Sequence, residues 1–151
     1  MKLAPLTEEA IAPFGAIIHS PAEHGVRNSY TSWLGSERTG MKPRLHVNLI
    51  RPSVLPCVVD TLERHPYSSQ IFIPLDVSRY ILVLAPDGPD ITRAQAFLAP
   101  GNVGIVYRAG VWHAGAKVLD RSGSFAVMMW RNDSPDDEEL ITLPLAIELH
   151  T

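Results

Sequence analysis

Two short runs of this sequence hold residues whose chemistry goes beyond packing. The first is Leu62-Glu63-Arg64-His65-Pro66-Tyr67-Ser68-Ser69-Gln70. With its front half as a strand, Glu63 and His65 stand two residues apart and point to one face. Pro66 and the paired serines then turn the chain, so that Gln70 comes back beside them. A carboxylate, an imidazole and an amide converging from one hairpin can hold a divalent cation or a polar substrate. The same spacing equally suits a strand whose Glu63 and His65 merely face water. The second run is Tyr107-Arg108-Ala109-Gly110-Val111-Trp112-His113. Gly110 permits a tight turn, after which Trp112 and His113 take opposite faces of the next strand. A single histidine beside a tryptophan is more often a hydrogen-bonded structural residue than a ligand. The case for chemistry therefore rests on the two runs together. A nitrogen and oxygen donor set without thiolate suits nickel, zinc or manganese, and does not choose among them.

Residues some forty positions apart need a framework that brings them to one place. Leu45-His46-Val47-Asn48-Leu49 alternates apolar and polar residues, the mark of a half-buried strand. Strands are expected over 62–65 and 70–75 as a pair, then over 79–84, 92–98, 103–107, 111–118 and 124–130. The turn Ala85-Pro86-Asp87-Gly88-Pro89-Asp90 closes the 79–84 strand. Thirteen prolines and ten glycines punctuate the chain. Eight or more short strands at roughly ten-residue spacing predict an all-β sandwich or barrel, not alternating strands and helices. Only the start reads as helical, with Thr7 as N-cap, Glu8 and Glu9 in the first turn, and Pro13 and Gly15 keeping it short. A strand over 16–19 follows. Residues 20–43 lack periodicity, and a loop of that length is expected to be functional or mobile. Asp133 and Asp136-Asp137-Glu138-Glu139 read as a solvated surface turn. The apolar residues of 140–149 are expected to pack on the body or on a second subunit.

At 151 residues the chain has the size of one domain, and 1–151 is expected to be a single one. A formal net charge of −3 with no Lys/Arg-rich run argues against general affinity for nucleic acid or for an anionic membrane. Cys57 is the single cysteine and cannot make an intrachain disulfide, which suits a reducing compartment. The first residues carry acids and prolines where a signal peptide needs an apolar stretch. No apolar run approaches the ~20 residues that cross a bilayer. A soluble, cytoplasmic protein acting on a small molecule is expected.

Glu63-x-His65-x4-Gln70, followed by Gly110-x-x-His113, resembles the two signature motifs of the cupin superfamily. Glu63 stands where that pattern usually has its first histidine, Gln70 where it has glutamate, and Arg108 where it has proline. Leu62-Glu63-Arg64-His65-Pro66, Gln70-x-Phe72-Ile73-Pro74 and Gly104-x-x-Tyr107-x-x-x-Val111-Trp112-His113 are similar to the ureidoglycolate lyase family. Ala96-Phe97, Trp130-Arg131 and the opening Pro5-Leu6-Thr7 to Phe14-Gly15 extend that resemblance. Residues 20–43 depart from it, being shortened and altered.

The resemblance implies an all-β, cupin-like β-barrel (a double-stranded β-helix or jelly roll) with a short N-terminal helix, assembled as a homodimer. It implies release of urea from (S)-ureidoglycolate, leaving glyoxylate, in allantoin and purine nitrogen catabolism. It also implies a divalent metal, nickel above zinc or manganese. That reaction removes a hydroxyl proton, protonates the leaving nitrogen and holds negative charge on oxygen. Glu63, His65 and His113 are the expected catalytic residues, and His65, Gln70, His113 and Glu63 the expected metal ligands. Glu63 is alternatively the general base, since one carboxylate cannot easily be both tight ligand and free base. Ser69 and Tyr107 are expected at the ureido end. Arg51 and Arg131, each ending a strand, could clamp the substrate carboxylate, although a surface position is equally ordinary for arginine. Lys42 and His46 lie beside the variable loop, and Trp33 belongs either to a lid or to a subunit contact. Two other readings stay open: a small cupin enzyme acting on a related ureido acid or sugar, and a non-catalytic cupin that binds a small acid.

Overall fold

The computed structural model of the chain describes residues 1–86, 88 and 90–151. In chain order the elements are β1 (Ala4–Pro5), α1 (Glu8–Ile11), β2 (Gly15–Ile18), β3 (Lys42–Ile50), β4 (Cys57–Arg64), β5 (Gln70–Asp76), β6 (Arg79–Ala85), β7 (Gln95–Pro100), β8 (Gly104–Tyr107), β9 (Trp112–His113), β10 (Lys117–Val118), β11 (Gly123–Arg131) and β12 (Glu139–Leu149). The larger sheet runs β1-β7-β6-β9-β4-β12, with β10 also on β6, and the smaller runs β2-β8-β5-β11-β3. From β3 to β12 the chain passes repeatedly from one sheet to the other. This is the expected all-β, cupin-like jelly roll, built as two facing sheets. Among the described residues no helix is long and apolar enough to cross a membrane.

Side-chain alternation shows where the core sits. Tyr80, Leu82 and Leu84 of β6 join Phe72 of β5, Ile105 of β8 and Phe125 of β11 in a cluster between the sheets. Ile81, Val83 and Ala85 face the other way, into a second cluster with Leu62 of β4, Trp112 of β9 and Leu143 and Ile147 of β12. Burial on both faces explains why β6 reads as an unbroken apolar run. Helix α1 begins as its residues require, with the Thr7 hydroxyl accepting from the Ala10 N–H at 3.2 Å.

Four expectations change, the first at β3: the strand expected to be half-buried is exposed along both faces, with Leu45, Val47 and Leu49 70%, 61% and 76% exposed. The 62–65 and 70–75 strands do not pair: β4 lies in the larger sheet and β5 in the smaller, so residues 66–69 cross between sheets instead of closing a hairpin. The expected 111–118 strand is two short strands on successive parts of one edge of β6, with Ala114-Gly115-Ala116 between them. The 92–98 strand starts later, at Gln95, because Ile91–Arg93 forms a 3-10 turn in which Asp90 Oδ1 accepts from the Thr92 N–H at 2.9 Å. Of the turn before it, Asp87 and Pro89 lie outside the described residues.

Gly15 shows how closely the smaller sheet is built. It lies opposite Tyr107 on β8, and a Cβ there would stand 1.8 Å from the Val106 carbonyl oxygen. Gly15→Ala is expected to lower unfolding free energy by about 1–3 kcal/mol, as backbone overpacking does. Urea denaturation measures it, and an unchanged midpoint would refute this account of the β2–β8 contact.

Candidate active site and metal centre

The two sequence runs meet. Glu63 on β4 and His113 on β9 are direct cross-strand partners. His65, two residues beyond Glu63, turns its side chain to the same face. Gly110, with a φ of 78° that glycine adopts without strain, donates its N–H to the His65 carbonyl at 2.9 Å. One loop is thereby tied to the other. Trp112 points into the second apolar cluster, under the Arg64 guanidinium, while His113 takes the opposite face, beside Glu63.

Both imidazoles are buried and held by a backbone carbonyl. His113 Nδ1 donates to the Val111 carbonyl at 2.9 Å, and His65 Nδ1 to the Asp137 carbonyl at 3.3 Å. A carbonyl only accepts, so each Nδ1 carries a proton and, in the neutral ring, each Nε2 presents a lone pair. Neither Nε2 has a hydrogen-bond partner, although both are buried. His113 Nε2 lies 3.3 Å from Glu63 Oε1. Two acceptors at that distance repel unless a proton or a cation sits with them. One ligand atom from each of Glu63, His65 and His113 falls within 4.8 Å of the others. The donor set, the burial and the carbonyl-fixed Nδ1 atoms all fit a divalent metal. The buried Gln70 Oε1 also lacks a partner and belongs to the same cavity.

With a proton on His113 Nε2, that contact is the main influence holding the Glu63 carboxyl below its ordinary range, and burial opposes it. Burial is the main cause that lowers His65, with the His113 charge adding to it. Tyr107 packs its ring 4.8 Å from that of His113, and burial pushes its hydroxyl well above the ordinary value. It stays neutral and serves as a wall behind the imidazole.

A cavity of about 380 Å³ lies against this cluster. Glu63 and His65 enter it from one side, Gln70, Phe72, Met129 and Arg131 from the smaller sheet, and His46 and Asn48 from β3. Of the two candidate arginines, Arg131 lines the cavity, whereas Arg51 is exposed beyond the end of β3 and does not. Tyr107 and Ser69 also stand outside the lining. The Ser69 hydroxyl accepts from the Gly35 N–H at 3.0 Å and donates to the Gly35 carbonyl at 3.2 Å. It faces a separate surface cleft with Trp33 and Arg108, whose guanidinium lies over the indole. Lys42 does not line the cavity; His46 does.

The sequence reading missed the acidic turn. Asp137 is buried, with Oδ2 accepting from the Asn132 N–H at 3.0 Å and lying 3.7 Å from Arg131 Nε. Glu138 lines the cavity. The available signal was position: a turn that joins Arg131 on β11 to an apolar strand must pass the same end of the sheet.

Both pKa shifts act in one direction on stability. Folded His65 titrates below its ordinary value of 6.5, so as pH falls through that value the unfolded chain binds a proton that the folded chain refuses. Glu63 adds stability that is present above its ordinary 4.5 and lost as pH falls through its lower folded value. The melting temperature of metal-free protein is expected to fall between pH 7 and pH 5, and to fall less steeply in His65→Asn. Equal pH slopes in the two proteins would remove His65 as the cause.

Comparison with known proteins gives the family. The family model described as ureidoglycolate lyase matches residues 1–148. The ureidoglycolate lyase of Burkholderia cepacia is 36% identical over 152 residues, covering 93% of this chain and 85% of that protein. The one from Rhizobium etli (strain CIAT 652) is 35% identical over 137 residues, covering 85% and 82%. The one from Brucella anthropi is 34% identical over 135 residues, covering 83% and 80%. Among solved structures, RmlC from Streptococcus suis in complex with dTDP-D-xylose superposes with a TM-score of 0.48 at 14% identity, covering 87% of this chain and 57% of that one. That last likeness carries no argument here, and the fold rests on the sheet topology above. With a family model spanning nearly every residue and relatives above 30% identity over most of their length, the chain belongs to the ureidoglycolate lyase family.

Proposed function

We propose that this chain is a cytoplasmic ureidoglycolate lyase, working as one domain from residue 1 to residue 151. It splits (S)-ureidoglycolate into glyoxylate and urea in allantoin and purine nitrogen catabolism. The observation that carries the reading is the cluster of Glu63, His65 and His113, with both histidine Nε2 atoms unpartnered, against a cavity that Arg131 also lines. The reacting carbon bears a hydroxyl, a carboxylate and a ureido nitrogen. Its O–H and C–N bonds break, a C=O bond forms, and the proton lost from oxygen ends on the urea nitrogen, so no water is consumed.

Glu63, His65 and His113, with Gln70 Oε1, would hold the divalent ion, nickel before zinc or manganese. Such an ion supplies Lewis-acid stabilisation of negative charge on oxygen. Arg131 takes the substrate carboxylate through its N–H donors. The Glu63 oxygen that does not face His113 receives the hydroxyl proton and returns it to the departing nitrogen, which separates the two duties of that carboxylate. The Phe72 and Met129 side chains exclude water from the reacting end.

The active form is a homodimer joined through β3. This strand ends the smaller sheet, and Leu45, Val47 and Leu49 are 70%, 61% and 76% exposed on its outer face. A nine-residue edge strand with an exposed apolar stripe invites strand or face pairing, and an identical copy offers the same stripe.

Purified protein is expected to release urea and glyoxylate in equal amounts from one enantiomer of racemic ureidoglycolate. Chelation should abolish release, and one divalent ion should restore it. His113→Ala should lower the rate by about 10²-fold or more, the scale of losing charge stabilisation at the reacting oxygen. Folded protein that turns over nothing with nickel, zinc or manganese would overturn the lyase reading. Separately, sedimentation should give twice the chain mass, and Val47→Lys should give the single-chain mass; a monomeric parent protein would refute the β3 dimer.

A further inference from the structure

We propose that Glu138 selects the ureido group: its carboxylate accepts the ureido N–H donors while Arg131 beside it takes the substrate carboxylate. This rests on the substrate class proposed above. The acidic turn of 133–139 commits its other members elsewhere. Asp133 pairs with Arg44 at 2.7 Å, Asp136 with both terminal nitrogens of Arg38 at 2.8 and 2.6 Å, and Glu139 with Arg64 at 2.6 Å. Asp137 is buried under the turn. Glu138 is the member of that stretch that lines the cavity.

Its Oε2 lies 3.3 Å from Arg131 Nη1, and its carboxyl neighbours that of Glu63. A cationic donor and an anionic acceptor this close match a molecule whose carboxylate and N–H donors hang from the same carbon. The reverse pose would set the substrate carboxylate against Glu138, which like charges forbid. The ureido end also needs an acceptor, because Ser69 is bound to Gly35 and Tyr107 packs behind His113. Glu63 and Gln70 belong to the histidine cluster. An ionised carboxylate makes a stronger bond to N–H than the Asn48 amide does.

The test uses two unreactive or product-like ligands and calorimetric binding. N-Carbamoylglycine has the carboxylate and the ureido group but no hydroxyl, so it cannot eliminate urea. Glycolate has the carboxylate and hydroxyl but no ureido group. Glu138→Ala is expected to weaken N-carbamoylglycine at least ~10-fold and glycolate less than ~3-fold, as loss of one charge-assisted hydrogen bond would. Glu138→Gln, which keeps the shape and a neutral acceptor, should fall between the parent protein and the alanine variant. Equal weakening of both ligands would show that Glu138 acts only by holding Arg131, and would overturn the proposal. So would unchanged N-carbamoylglycine binding in both variants, or its failure to bind the parent protein. Glu138-dependent binding without any urea release from ureidoglycolate would instead sink the lyase reading and leave the ureido assignment standing.

Discussion

Three electron-rich atoms face one another in a buried place, and the rest of the site follows from that. His65 Nε2, His113 Nε2 and a Glu63 oxygen all present lone pairs, because the Nδ1 protons of both rings are already given to backbone carbonyls. Such a cluster is unfavourable by itself, since each acceptor was hydrogen-bonded to water before folding. It is stable with a positive charge among its members. The fold spends backbone geometry, not extra side chains, on keeping the rings turned this way: one carbonyl comes from the loop before β9 and the other from the turn before β12.

That second carbonyl makes the acidic turn part of the candidate site. Asp137 supplies the acceptor for His65, and its own buried carboxylate caps the Asn132 N–H and faces Arg131. The turn is located by arginines from four different places: Arg38 before β3, Arg44 on β3, Arg64 on β4 and Arg131 on β11. Exposed pairs of this kind add little stability singly. Their use here is positional, because four attachments from separate elements leave the turn one place to sit. Arg38 also lies over the Tyr67 ring, and the Glu37 N–H donates to the Tyr67 carbonyl. The departing 20–43 segment is thereby fastened to the crossing that carries His65 and Gln70.

The two-sheet architecture decides which side chains share the cavity. β4 brings Glu63 from the larger sheet, while β5 and β11 bring Gln70 and Arg131 from the smaller. A hairpin would have placed Glu63 and Gln70 on neighbouring strands of one sheet. Crossing between sheets instead sets them across an interior space, which is what a substrate of several functional groups requires.

Local sequence determined the strands, their faces and the cap of the helix. Period-two alternation placed Glu63 with His65, separated Trp112 from His113, and sent Leu45, Val47 and Leu49 to one side of β3. Those features depend on neighbours a few residues away, so they are legible without a structure. The choice between Arg51 and Arg131 was not, nor was the withdrawal of Ser69 and Tyr107 from the cavity. Residues 66–69 have the composition of a hairpin turn and make a crossing between sheets, because the same turn chemistry serves both. The acidic run has the composition of a solvated loop, yet it buries Asp137 and aims Glu138 inward. Each of these outcomes depends on which strands pair across long stretches of chain, and on arginines up to 98 residues distant. Only the tertiary structure decides such pairings, since periodicity shows which face a residue takes but not what stands opposite it.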